Sequence, residues 1–299
     1  MGRAKRIPYG VSDFIDIIER NQYYVDKTMY IPKLEDEPDA LFFIRPRRFG
    51  KSLFISMLRA YYDIKRKDKF DKLFGNLWIG SHPTENQGKY QVLFLDFSKI
   101  GGSIDQLEEN FNAYCNECID SFIETYQEYY PERVVESVLR AKTAARKLNA
   151  IGIAAEKKNL PLYLIVDEYD NFTNVVLNEQ GEEVYTALTH ASGFYREIFK
   201  VFKGMFSKIF MTGVSPVTLD DLTSGFNIGW HISTKPAFNQ MLGFSTEDVR
   251  GLFTYYKENG EIRPDSDVEA IIEEMKPWYD NYCFSKSALK TQSKVFNSD

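Results

Sequence analysis

Cysteine is scarce in this chain: three in 299 residues, at 115, 118 and 283. That is too few, and an odd number, for a disulfide framework. Histidine is equally scarce, and His82, His190 and His231 lie too far apart to form a ligand spacing. No window approaches the run of about 18 apolar residues that a membrane-crossing helix needs. The charged start, MGRAKRIPYGVSDF, is not followed by the apolar stretch of a signal peptide, and Arg6 stands where an N-myristoylation pattern requires Ser or Thr. Internal repeats and low-complexity tracts are missing as well. There is no excess of basic charge: 37 Lys and Arg face 43 Asp and Glu, for a net charge of -6. A broad nucleic-acid surface is therefore not signalled, although a local basic groove is a separate matter. These absences lead to the expectation of a cytoplasmic protein without membrane contact.

What is present is a globular composition, 43% hydrophobic and 27% charged, in a chain long enough to bury a sizeable core. Four short apolar runs bounded by polar residues read as buried strands, at 40–44, 91–97, 162–166 and 208–211. Helical patterns lie between them, at 52–64, from Ser103 to a break at Pro131, at 132–158 and at 182–202. Ser103 with Gln106 has the spacing of a capping box. Cys115 and Cys118 form C-x-x-C within one of these amphipathic patterns, and with no second cysteine pair nearby they read as buried helical thiols. Strands alternating with helices predict an α/β fold with a mainly parallel central sheet flanked by helices. From Asn239 the texture changes to two capped helical stretches, 245–256 and 265–275, which divide the chain into 1–238 and a small helical subdomain at 239–299. The last segment, SKSALKTQSKVFNSD, is too polar to close a fold and reads as leading into further chain.

In a parallel sheet, ligands bind beyond the carboxyl ends of the strands. The first strand runs into RPRRFGKS at 45–52, ending in Gly50-Lys51-Ser52 before a helix. Glycine can adopt the turn that aims amides at an anion, the helix start supplies N–H groups and a positive dipole end, Lys51 reaches terminal phosphates, and the Ser52 hydroxyl ligates magnesium. Residues Arg47, Arg48, Phe49, Gly50, Lys51, Ser52 and Leu53 are therefore the candidate nucleotide-binding loop. The position that a phosphate loop usually gives to its first glycine is occupied by Arg45. The third strand ends in Asp167-Glu168, where the aspartate can hold magnesium through water and the glutamate can activate an attacking water. Asp167 and Ser52 are the candidate metal ligands, and Glu168 and Lys51 the candidate catalytic residues. Thr212, at the end of the fourth strand, is a candidate sensor of the γ-phosphate. Asp170 is a candidate supporting acid, and Asp26-Lys27 reads as a cap or ion pair.

The sequence resembles the AAA-ATPase-like proteins, P-loop NTPases with a catalytic glutamate that are common in Bacteroides. The resemblance runs through YYVDKT at 23–28, RPRRFGKS at 45–52, LYLIVDEYDN at 162–171, MTGVSPV at 211–217 and WYDNYCFS at 278–285. It implies ATP and Mg2+ as ligands and a sheet with an additional strand between the phosphate-loop strand and the acidic strand. It also makes Arg45 a family feature, and raises the expectation that Asp26 and Lys27 lie near the nucleotide base. The family's late motif, Tyr-x-Gly-Tyr-Arg-Phe, is not fully kept: Cys283 replaces the arginine and cannot sense a phosphate. Members commonly continue into a domain resembling PD-(D/E)XK nucleases, which this chain stops short of. The leading expectation is an ATP-binding, Mg-dependent NTPase that drives or gates a conformational change. The alternative is a nucleotide-gated interaction module that binds ATP without significant hydrolysis. A third reading gives the basic turn a nucleic-acid backbone as ligand, with steep salt dependence and indifference to magnesium.

Overall fold

The computed structural model describes residues 4–101, 106–171, 194–215, 230–279, 282–291 and 293–297. Among these residues five strands form one sheet: β1 (Ala40–Ile44), β2 (Gln91–Asp96), β3 (Leu162–Asp167), β4 (Lys208–Gly213) and β5 (Trp230–His231). All neighbouring pairs are parallel, in the order β2-β3-β4-β1-β5. β4 is the additional strand that the resemblance implied between β1 and β3. The fold is thus α/β, with a parallel sheet covered on both faces.

Strand alternation explains that double cover. Phe42, Leu164, Val166, Ile209 and Met211 point into one apolar cluster with Phe111, Ile119, Leu148 and Phe199, from the helices Leu107–Thr125, Ala144–Lys157 and Phe194–Met205. Leu41, Phe43, Tyr163, Ile165 and Phe210 point into the other, with residues of Phe14–Glu19, Tyr30–Glu35 and Lys51–Tyr62. Two expected helices are altered, and a third is described only in part. The helix expected at 132–158 is two, Glu132–Arg140 and Ala144–Lys157, because Ala141 turns extended and Thr143 restarts the helix by accepting a hydrogen bond from the Arg146 N–H at 3.4 Å. The helix expected at 52–64 ends at Tyr62 and passes into a 3-10 turn, Ile64–Lys69. The helix expected at 182–202 is described only as Phe194–Met205, and Ser103 of the expected capping box lies outside the described residues. Cys115 is buried and Cys118 half-buried on Leu107–Thr125, and both thiols are free. Among the described residues no helix is long and apolar enough to cross a membrane.

In the later part of the chain, Thr246–Glu258 begins with a capping box in which Ser245 and Asp248 cap each other. Val249, Ile272 and Phe296 form a small cluster of their own, whereas Phe238, Met241, Leu242 and Val295 join the larger cluster beneath β1. The last segment is not a solvated tail: Val295 and Phe296 are buried, and they form antiparallel bridges to Tyr282 and Phe244. These two apolar residues are held because each is paired by main-chain bonds to an element already in place.

Candidate nucleotide site

Strand register brings the candidate residues together. Phe43 stands opposite Thr212 and Ile44 opposite Gly213, while Val166 stands opposite Met211, so Asp167 emerges beside Thr212. The turn after β1 leads directly into the helix Lys51–Tyr62. Gly50 has φ +79, and no neighbour would obstruct a side chain there, so its requirement for glycine is conformational rather than steric. Arg48, with φ +67, is also left-handed. Such residues turn successive N–H groups toward one concavity. The first intrahelical bond runs from the Phe54 N–H to the Gly50 carbonyl, which leaves the N–H groups of Lys51, Ser52 and Leu53 at the open helix start.

Five of the candidate residues meet in one group of hydrogen bonds and an ion pair. The Ser52 hydroxyl donates to Asp167 Oδ2 at 2.6 Å, across 115 residues of sequence. The Thr212 hydroxyl donates to Asp167 Oδ1, also at 2.6 Å, and the Glu168 N–H reaches the same oxygen at 3.0 Å. Lys51 Nζ donates to the carbonyls of Arg45 and Pro46 at 3.2 and 3.1 Å and lies 3.5 Å from Glu168 Oε1. Lys51, Asp167 and Thr212 are buried, so these contacts are little screened by solvent.

Glu168 is held at φ +52, an unusual conformation for a residue with a side chain. A staple behind it accounts for this. Asp170 accepts the N–H groups of Val214 and Ser215, Tyr169 donates its hydroxyl to the Ser215 carbonyl at 2.8 Å, and the Tyr169 N–H reaches the Thr212 carbonyl at 3.0 Å. The tip of β3 is thereby tied to the tip of β4. Burial pushes the Glu168 carboxyl above its ordinary value of 4.5; Lys51 opposes the rise, and Asp167 and Asp170 add to it. A raised native value means that the folded chain takes up this proton before the unfolded chain does. The contribution of Glu168 to stability is therefore fullest below 4.5 and is lost as pH rises through the native value. In Glu168→Gln the gain in melting temperature over wild type is expected to grow from about pH 4 to about pH 8. A gain that shrinks over that interval would contradict the assignment.

Other candidates lie apart from this group. Arg47 and Arg48 are exposed, and Leu53 is half-buried against the cluster beneath β1. Phe49 is buried, and its ring packs against Tyr282 and Phe284. Arg45 is fully buried and turns away from the loop's concavity: it donates to the carbonyls of Ile44, Ser233 and Phe238 and lies between the rings of Phe43 and Phe284. Burial pulls its pKa down to about 9, which leaves it charged at neutral pH. Asp26 caps the Trp78 and Thr28 N–H groups, and Lys27 pairs with Asp248 at 2.6 Å, so both act as a fold clasp. Among the described residues no cluster of three His, Cys, Asp or Glu residues forms a metal site. A magnesium ion that keeps water and phosphate oxygens needs only one or two protein oxygens, and the paired Ser52 and Asp167 oxygens fit that requirement.

Sequence reasoning named Asp170 as a supporting acid but missed its partners at Val214 and Ser215, the part of Tyr169 and the inward turn of Arg45. The only local signal was the last acid of the Asp-Glu-Tyr-Asp run, Asp170, which has no periodicity to betray its partners.

A family model described as Predicted AAA-ATPase matches residues 8–223. Among curated proteins, the chain is 25% identical over 303 residues to the "Uncharacterized protein in vnfD 5'region" of Azotobacter chroococcum mcd 1, covering 95% of this chain and 50% of that protein. The chain thus spans about half the length of that relative. Among solved structures it is similar to the ORC2 protein of Aeropyrum pernix, in ADPNP-ADP complexes, with a TM-score of 0.38 and 12% identity over 92% of this chain and 61% of the other.

Proposed function

The chain belongs to the AAA-ATPase-like family, and from that premise we propose that it is an ATP-binding, Mg-dependent NTPase module that hydrolyses the β–γ phosphoanhydride bond to drive or gate a conformational change. The observation that carries this reading is the 2.6 Å contact of Ser52 with Asp167, which unites the phosphate-loop helix and the acidic strand in one site.

The helix-start N–H groups and Lys51 bind the phosphates, Lys51 exchanging its loop carbonyls and Glu168 for phosphate oxygens. Magnesium, held by Ser52 and Asp167, supplies neutralisation of phosphate charge when bound. Released from Lys51, Glu168 accepts a proton from the water whose oxygen bonds to the γ-phosphorus, while the bond from that phosphorus to the β–γ bridging oxygen breaks. The Thr212 hydroxyl, on the same carboxylate as Ser52, orients Asp167. The nuclease-like domain that relatives of this kind carry would be the receiver of the conformational change.

Lys51→Ala is expected to remove the ATP-dependent rise in melting temperature and to lower phosphate release by about a hundredfold or more. Retention of the thermal shift in that variant would defeat the reading. Thermal stabilisation by ATP together with zero phosphate release by the wild-type chain would select the nucleotide-gated module instead.

A further inference from the structure

Phe49 sits between two left-handed residues, Arg48 and Gly50, in the middle of the phosphate loop, yet it is only 1% exposed. What buries it is not the sheet domain alone. Tyr282 and Phe284 meet its ring edge-on, with centroids 4.8 and 5.5 Å away. The Gly243 N–H donates to the Phe49 carbonyl at 3.1 Å. Gly243 has φ +76, and a side chain there would lie 2.9 Å from the Phe49 ring and 2.6 Å from Val295. Only glycine permits so close an approach.

Phe284 touches the loop twice. Its ring also lies 3.9 Å from the Arg45 guanidinium, at the loop entrance, whose other face is covered by Phe43 at 4.1 Å. Among the described residues Arg45 has no carboxylate among its hydrogen-bond acceptors, and its Nε has no hydrogen-bond partner. Its charge is stabilised by carbonyl dipoles and by the two ring faces, so it depends on Phe284 remaining in place. Phe284 is fixed in turn from the opposite side: the Asn239 side-chain oxygen accepts the N–H groups of Phe284 and Ser285, and its amide donates to the Ser293 carbonyl at 2.8 Å. The aromatic pair is therefore held rigidly and grips both the entrance and the middle of the loop.

We infer that Phe284, together with Tyr282, is a positioning residue of the nucleotide site, holding the phosphate loop in its binding conformation through Phe49 and Arg45. This rests on the nucleotide reading above. The pair touches no reacting group. It acts by keeping the left-handed conformations of Arg48 and Gly50, and with them the direction of the loop N–H groups, in a segment that an unsupported loop would leave by relaxing.

The test is a calorimetric titration of the full chain with Mg·ATP. Phe284→Ala is expected to weaken binding about ten- to a hundredfold. Phe284→Tyr keeps the ring and restores wild-type affinity. Ile272→Ala removes a buried side chain from the small helical cluster that does not touch the loop; it lowers the melting temperature but leaves the affinity unchanged. If Phe284→Ala does not fold, Phe284→Leu keeps apolar volume without the ring face, and weakened binding is again expected. Wild-type affinity in the folded Ala or Leu variant overturns the inference, as does an Ile272→Ala variant that loses as much affinity as Phe284→Ala. A wild-type chain that fails to bind ATP, with Lys51→Ala indistinguishable from it, overturns the nucleotide reading itself and the inference with it.

Discussion

Replacing Glu168 by glutamine is expected to lower ATP hydrolysis by about 10²- to 10⁴-fold, the range lost when a positioned general base is removed, while ATP binding is retained. The change is nearly isosteric, and the staple formed by Asp170 and Tyr169 does not involve the Glu168 side chain. The loop N–H groups, Ser52 and Asp167 are likewise untouched. What is lost is the proton acceptor, together with the 3.5 Å ion pair to Lys51. Loss of that pair leaves Lys51 more available to phosphate, so affinity should be equal to or tighter than that of wild type. Single-turnover phosphate release beside a binding titration separates the two effects. Turnover at the wild-type rate would remove Glu168 from the base role.

The second large effect concerns stability. Arg45→Ala is expected to cost on the order of 3–5 kcal/mol, from the volume lost beneath the loop and the buried carbonyls left without a donor. An opposing term exists, because the variant also relieves a buried charge that no carboxylate among the described residues compensates. Three main-chain carbonyls and two aromatic faces already stabilise that charge, so the relief is the smaller quantity. Arg45→Met separates the terms by keeping apolar volume and discarding the charge. It should fall between Ala and wild type in chemical denaturation. A Met variant more stable than wild type would mean that desolvation of the charge dominates.

The parts of this molecule that were legible in its sequence are those governed by short-range chemistry. The strands β1 to β4 are visible because a covered parallel strand must be apolar along its whole length, and their ends were misjudged by at most two residues. The two-residue strand β5 was invisible, since Trp230 and His231 are too few to show any period. Gly50-Lys51-Ser52 was legible because an anion-binding turn at a helix start requires particular backbone freedom and particular side chains at adjacent positions. The split helix at 141–143 was not, because alanine and lysine on both sides supply good helical propensity.

Arg45 marks the boundary between the two kinds of information. A basic residue before a phosphate loop invites assignment to phosphate, and nothing local argues otherwise. Its actual surroundings come from Ser233, just past β5, from the turn at Phe238 and from Phe284, none of which is near it in sequence. Val295 and Phe296 follow the same logic: a polar segment becomes part of the core because Tyr282 and Phe244 offer it backbone partners.

The sequence by itself determined the class of fold, the phosphate-binding turn and the pair of acids at a strand end, since each is written in contiguous residues whose spacing follows the local backbone. Only the tertiary structure decided that Ser52 and Thr212 share the carboxylate of Asp167, that Glu168 is held in a left-handed turn by Asp170, and that the phosphate loop is gripped by Phe284. Those relations depend on strand register and on packing between distant segments, where a few ångströms of displacement separate contact from none, and no local pattern of residues encodes them.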